Sequence, residues 1–205
     1  MKTIFITAFH PFISKNILNT DVFGILKQRK DLKIILLVPE SKKDFFKTNY
    51  GSENVTIEGI NPEPFWGSRS NNFFSKTAFL FIYTHWIRRE RRDYLNGHPS
   101  FYNFLKFHVF TAMTWLLSGH KILNRIFRYF DWRHSPSNFF DKQYEVYKPD
   151  LVFSADIYTD FDQALIKEAK MRKVFVVGMI RSWDNNFSKG LLRFMPDKLV
   201  VNNEV

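Results

Sequence analysis

The chain has 205 residues, 45% of them apolar, with no cysteine and a formal net charge of +10. That length and composition exclude global disorder and two ordinary domains, and the missing cysteines exclude disulfides and thiolate metal sites, which fits a reducing compartment. No run approaches the roughly 20 apolar residues of a membrane span, and the charge leaves nucleic acid, anionic lipid and phosphorylated small molecules open as partners.

The first predicted element is a strand, TIFITAF from Thr3. Its flanks carry one lysine and no small-residue cleavage site, so the start does not read as a signal peptide. After it comes AFHPFISKN. His10 is the one side chain there suited to proton transfer at neutral pH, and the plain alternative is a loop histidine capping local backbone. Ser14, Lys15 and Asn16 begin the next helix, whose N-terminal amides suit an anion. No Gly-x-Gly-x-x-Gly or Walker lysine pattern is present, so the loop is not a dinucleotide or ATP cradle. The helix is expected over 16–30, with Ser14 as N-cap and Ile17, Leu18, Val22, Ile25 and Leu26 on its apolar face. Two further strands follow, LKIILLVP from Leu32 and VTIEGI from Val55.

Residues 61–149 separate the third strand from the fourth, far more than one crossover helix needs. After a turn-rich loop, NPEPFWGSRSNN, helical patterns run over 72–92, 101–117 and, more weakly, 121–147. The segment reads as a helical insertion in one α/β domain and not as a domain of its own. It is basic and aromatic. One reading is a buried helical layer with solvated arginine ends. Another is a surface resting on a membrane, with Phe and Trp in the interface and Arg88, Arg89, Arg91 and Arg92 near anionic headgroups. Each such charge adds about 1 kcal/mol, so the four count together only on one side. Nucleic-acid binding is the third reading, but no helix-turn-helix, RNA-recognition or zinc-finger pattern supports it.

The remaining strands are DLVFSAD from Asp150, KVFVVGMI from Lys173 and DKLVVNNE from Asp197, and Pro-Asp precedes the apolar run in the first and last of them. Near-continuous β-branched and aromatic runs mark strands covered on both faces. Alternating with helices, they predict a doubly wound, mostly parallel α/β sheet of Rossmann-like type. In such a sheet the ligand crevice lies beyond the carboxyl ends of the strands. Asp156 ends the fourth strand and is a crevice candidate. Asp160 and Asp162 spell Asp-x-Asp, but at the start of a helix over 161–171 they read as caps, with Thr159 or Asp160 as N-cap, and not as a metal pair. After the fifth strand, Arg181 offers a planar fork for carboxylate or phosphate. Trp183 offers a flat apolar face, and Asp184, Asn185 and Asn186 directed hydrogen bonds. The alternative is a structural loop with Asp184 in an Asx-turn. Ser188 to Phe194 reads as a short helix with Lys189 and Arg193 exposed.

The stretch RSWDNNFSKG…PDKLVVNNE resembles one in the N-terminal half of GT-B-type glycosyltransferases of cell-surface polysaccharide synthesis, and is similar to CDP-glycerol glycerophosphotransferase-like proteins. In that pattern a strand leads into Ser-Trp-Asp-Asn, a short Lys-Gly helix, Pro-Asp and an apolar strand ending near Asn-Glu. The start, HPFISKNILNTDVFGILKQRKDLKIILLVP, looks like the opening β-α-β of the same group, with Asn16, Leu18 and Thr20 as loose matches to its helix start. The resemblance covers both ends of the chain and little of the insertion.

The resemblance implies a two-domain enzyme. The N-terminal domain binds a glycan or lipid-linked acceptor, and a C-terminal domain holds a nucleotide-activated donor, with no metal and no other cofactor. His10 is then the candidate base, and Asp184 is grouped with it as catalytic. Arg181 holds phosphate or an acidic sugar, Trp183 and Asp184 meet the acceptor, and Ser14, Asn16, Asp156, Ser182 and Asn185 complete the substrate-binding set. The sequence shows no second α/β half, so the expectation is an acceptor-side domain, cut by a split gene or a fragment boundary, with little turnover alone. The expected location is the cytoplasm, or the inner face of the membrane. The alternative expectation is a non-catalytic peripheral membrane or partner-binding module of the same fold.

Overall fold

The computed structural model describes residues 1–61, 63–182 and 184–201, with backbone alone for Ser14, Lys15, Asn186 and Phe187. The chain divides into two compact units. One comprises Met1–Ser68, Pro136–Ser182 and Met195–Val205; the other comprises Arg69–Ser135 and Trp183–Phe194.

The first unit is built on six strands: β1 (Lys2–Thr7), β2 (Leu32–Pro39), β3 (Val55–Ile60), β4 (Leu151–Ser154), β5 (Phe175–Met179) and β6 (Lys198–Val200). All pairings are parallel, in the order β3-β2-β1-β4-β5-β6. This is the order of a doubly wound Rossmann-like sheet, as the strand–helix alternation predicts. Central strands are covered on both faces, so β2 buries five consecutive apolar residues, Ile34 to Val38.

The repeated Pro-Asp lead-in has a structural cause. Asp150 accepts from the Thr3 amide at 2.7 Å through Oδ2 and donates its own amide to the Thr3 carbonyl at 2.8 Å. Asp197 makes the same pair of bonds with Val176, both at 2.9 Å. Each aspartate therefore pins the start of its strand against its neighbour, β4 on β1 and β6 on β5, and so sets the register before the apolar run begins.

The helix expected over 16–30 is broken. It starts earlier, as α1 (Pro11–Ile13), passes through a π-helical turn at Ser14–Leu18, and restarts as α2 (Asp21–Gln28). Pro11 suits a first helical position because its missing N–H is not needed there. Thr20 is extended, and its hydroxyl donates to the Ile17 carbonyl at 2.7 Å, satisfying an end that the break exposes. Ser14 lies inside the π turn and is not the N-cap. The break also shifts the helical phase. Ile17, Leu18 and Phe23 are buried, whereas Val22 and Ile25 are 59% and 61% exposed.

The other helices of this unit are α3 (Lys43–Tyr50), α4 (Glu63–Gly67), α9 (Asp141–Tyr147) and α10 (Asp160–Met171). One core layer gathers Ile6, Ile13, Ile17, Phe23, Phe46 and their neighbours. An aromatic cluster forms another, with Phe65 stacked on Phe139 at 4.2 Å and Phe9 on Phe161 at 4.9 Å. Helix α10 is central. Every residue from Asp162 to Ala169 is buried.

The second unit holds α5 (Arg69–Thr77), α6 (His85–Gly97), α7 (Phe101–Leu117), α8 (Lys121–His134) and the short α11 (Asn185–Ser188). The run expected over 72–92 is interrupted by a 3-10 turn at Ala78–Leu80, and Thr84 caps α6 by accepting from the Ile87 amide at 3.2 Å. Helix α7 has its expected bounds, with Ser100 as N-cap accepting from Asn103 at 3.1 Å. Its apolar centre is small: Phe74, Ala78, Leu80, Phe81, Phe127 and Leu191.

Candidate site at the carboxyl edge of the sheet

Strands β1 and β4 are neighbours, yet β1 leads by way of α1 and α2 to β2 while β4 leads through α10 to β5. The loops leaving the two strands diverge, and a crevice at this switch point is the usual ligand position in an open α/β sheet.

Asp162 is buried where β1 and β4 end. One carboxylate oxygen accepts from the Thr7 hydroxyl at 2.6 Å and the Ser154 hydroxyl at 2.8 Å, and the other accepts from Thr159 at 2.6 Å. Thr159 in turn accepts from the Asp162 amide at 3.1 Å, a reciprocal cap of α10. The Thr7 hydroxyl also accepts from the Ala155 amide at 2.8 Å. One buried carboxyl thus ties together the ends of β1 and β4 and the start of α10. Burial pushes it up to about 7, against the lowering effect of the three hydroxyls. Asp162 accordingly does more than cap. Among the described residues no group of three or more His, Asp or Glu side chains is arranged to hold a metal ion.

Beyond the carboxyl ends of β1, β4 and β5 the structure brings together three of the expected residues. Arg181, beyond β5, places Nη1 2.5 Å from His10 Nε2, beyond β1. Its Nε lies 3.1 Å from Asp156 Oδ2, beyond β4. The Asp156 contact is one of charge, since Nε makes no aligned hydrogen bond. Both side chains are largely buried, 13% and 3% exposed. The guanidinium also lies over the Phe12 ring at 5.7 Å. Tyr158 follows Asp156. Burial, with the Asp156 charge beside it, raises its phenol and keeps it a donor.

The imidazole of His10 faces two donors. The Phe12 amide points at Nδ1, 3.2 Å away, and the arginine points at Nε2. A neutral imidazole accepts at one nitrogen only. Another donor can reach Nε2 only if Arg181 withdraws.

For the rest of the expected set, the described residues show no hydrogen bond or ion pair with these three. Ser182 is half-buried at the end of the first unit and Asn16 is exposed in the π turn. Trp183 and the Ser14 side chain lie outside the described residues. Asp184 and Asn185 belong to the second unit. The Asp184 carbonyl accepts from both the amide and the hydroxyl of Ser188 at 2.9 Å, and its side chain makes no capping bond. Asn185 is buried, and its Nδ2 lacks a hydrogen-bond partner.

The four arginines of α6 separate as well. Arg88, Arg89 and Arg92 are exposed. Arg91 turns inward and donates to Thr114 Oγ1 at 2.8 Å and to the Phe79 and Phe110 carbonyls.

Two features of the segment after β5 escape sequence reasoning. The helix there is Asn185–Ser188 and not Ser188–Phe194. Arg193, expected on the surface, is 5% exposed and paired with Asp131. Gly190 explains the Lys-Gly dipeptide, because a Cβ there would meet the Ala78 carbonyl carbon and the Phe79 nitrogen at 2.9 Å, both backbone atoms. Gly190→Val is expected to destabilise the second unit by about 1–3 kcal/mol, measured as a lower urea midpoint with an unchanged m-value.

No protein-family model matches the chain, and no curated protein matches its sequence.

Proposed function

We propose that the first unit is the acceptor-binding domain of a glycosyltransferase. It would present a surface polysaccharide or lipid-linked glycan to a sugar, or glycerophosphate-like group, carried on a nucleotide. The observation that carries this reading is Arg181 wedged between His10 and Asp156 at the switch point of a Rossmann-like sheet. The resemblance of the 181–204 stretch to the glycosyltransferase pattern supports it.

The chemistry follows from the groups present. An acidic or phosphorylated acceptor draws the guanidinium away from the imidazole, while Asp156 keeps the arginine anchored. His10 Nε2 then accepts the proton of the attacking hydroxyl. That oxygen bonds to the transferred carbon or phosphorus, and the bond to the leaving nucleotide breaks. A general base of this kind contributes about 10²–10⁴-fold.

With a donor-binding domain supplied, nucleotide-activated sugars and the glycan acceptor, nucleotide release is expected to exceed hydrolysis. It should fall by about 10²–10⁴-fold in His10→Ala. In Arg181→Ala the larger part of the loss should appear as a raised KM for the acidic acceptor. Release that is equal in the wild type and both variants would remove these residues from the reaction.

A further inference from the structure

The helical part of the second unit carries a surface that water does not favour. In residues 69–135 there are eleven Lys and Arg against three Asp and Glu, so this third of the sequence holds +8 of the net +10. Within it, α7 has one charged residue, Lys106, in seventeen. Thr114 is its one buried position, while Asn103, Phe107 and Phe110 are half-buried on the same side. The opposite arc is exposed and mostly apolar: Phe101, Leu105, Val109, Met113, Trp115 and Leu116, with Phe101 82% and Trp115 70% exposed and His108 among them. These positions fall on one side at helical spacing. Helix α6, which packs against α7, exposes Arg88, Arg89 and Arg92. A cleft of about 530 Å³ in the same unit repeats the combination, with Phe79, Leu80, Phe107 and Phe110 in its walls beside Lys76 and Lys106.

We propose that α7 lies in the interfacial layer of an anionic lipid bilayer, its aromatic and aliphatic arc among the acyl chains, with the arginines of α6 on the headgroups. Charge decides the occupant. A second copy of this surface would bring +8 against +8, whereas an anionic leaflet is complementary to it. Single-stranded nucleic acid is also complementary in sign, but it uses aromatic platforms interleaved with cations. The α7 arc instead runs through aliphatic Leu105, Val109, Met113 and Leu116, and α7 carries a single cation, Lys106, while the exposed arginines are on a neighbouring helix. Among the described residues no helix is long and apolar enough to cross a membrane, so α7 lies in the plane of the interface. This inference rests on the second unit alone and stands apart from the transferase reading.

The full chain is mixed with vesicles of equal phosphatidylglycerol and phosphatidylcholine, and with phosphatidylcholine vesicles, at low salt, and floated on a density gradient. Flotation is expected with the anionic vesicles and not with the neutral ones. The triple variant Arg88→Gln, Arg89→Gln, Arg92→Gln should bind about a hundredfold more weakly, at roughly fivefold per charge. Phe101→Ser with Trp115→Ser should weaken binding by at least about tenfold while leaving circular dichroism unchanged, because both side chains are already in solvent. Absence of flotation with anionic vesicles overturns the proposal. So does flotation that neither variant alters, or a stable dimer that the Phe101→Ser, Trp115→Ser variant dissociates. An oligonucleotide that binds tightly to a protein that does not float would assign the surface to nucleic acid instead.

Discussion

Arg193→Leu and Asp131→Leu are each expected to destabilise the second unit by about 3–5 kcal/mol, the cost of leaving one member of a buried ion pair without its partner. The geometry is bidentate, with Nε on Asp131 Oδ2 at 2.7 Å and Nη2 on Oδ1 at 2.9 Å. Asn71 Oδ1 accepts from Nη1 at 2.9 Å, and Ser135 both donates to the aspartate and accepts from Nη2 at 3.1 Å. Asp131 is fully buried. Removing either charge strands the other in a medium that solvates it poorly. The double variant Asp131→Leu, Arg193→Leu strands neither, and apolar replacement of a buried pair is often close to neutral. It should therefore recover most of the lost stability in urea unfolding. Two single variants that each cost under about 1 kcal/mol would show that the pair carries no such weight. The clamp also serves the loop that carries Asp184 and Asn185. Arg193, together with the bond from Arg128 Nε to the Leu192 carbonyl at 2.9 Å, holds the end of that segment on the helices of its unit.

The protein is expected to be less stable at pH 8 than at pH 5. Burial raises Asp162 from 3.8 to about 7, and burial raises Glu168 from 4.5 to about 7 against the Phe139 and Phe140 amides that donate to it. For a carboxyl raised in the folded state, the fold binds the proton that the unfolded chain has released, so stability falls as pH rises from about 4 to about 7 and levels off beyond. At 1.36 kcal/mol for each unit, the shift of Asp162 corresponds to about 4 kcal/mol at most. Protonation has a structural correlate. Thr7, Ser154 and Thr159 all donate to the ionised Asp162, so the neutral acid must turn one of these bonds around. Asp162→Asn should flatten a large part of the slope in denaturant-measured stability between pH 5 and 8, and Glu168→Gln a further part. Asp31, lowered to about 2 chiefly by its hydrogen bond to Arg29, acts below pH 4 and leaves this window alone. Stability that rises across the window in the wild type would contradict the account.

These two predictions concern residues that sequence reasoning placed wrongly or understood only in part, and the reason is common to both. Arg193 lies 62 positions from Asp131, and Thr7 lies 155 from Asp162. Nothing local distinguishes a surface arginine from a clamped one, or a capping aspartate from one that also joins two strands. The crevice was more legible, because position on the sheet is enough to nominate its residues. His10, Asp156 and Arg181 each follow a strand, and the parallel order brings those strand ends to one edge.

The six strands, the bounds of β2, β3 and α7, and the α/β class are legible in local residue pattern. These depend on unbroken apolar runs and on turn residues that act within a few positions. Tertiary structure alone decided the break at Thr20 that turned Val22 and Ile25 outward, the inward turn of Arg91, the burial of Arg193 and the allocation of Asp184 and Asn185 to the helical unit. The turn of Arg91 and the burial of Arg193 depend on partners distant in the chain, and the free energy of burying or pairing a side chain is set by what surrounds it in space, not by its neighbours in sequence.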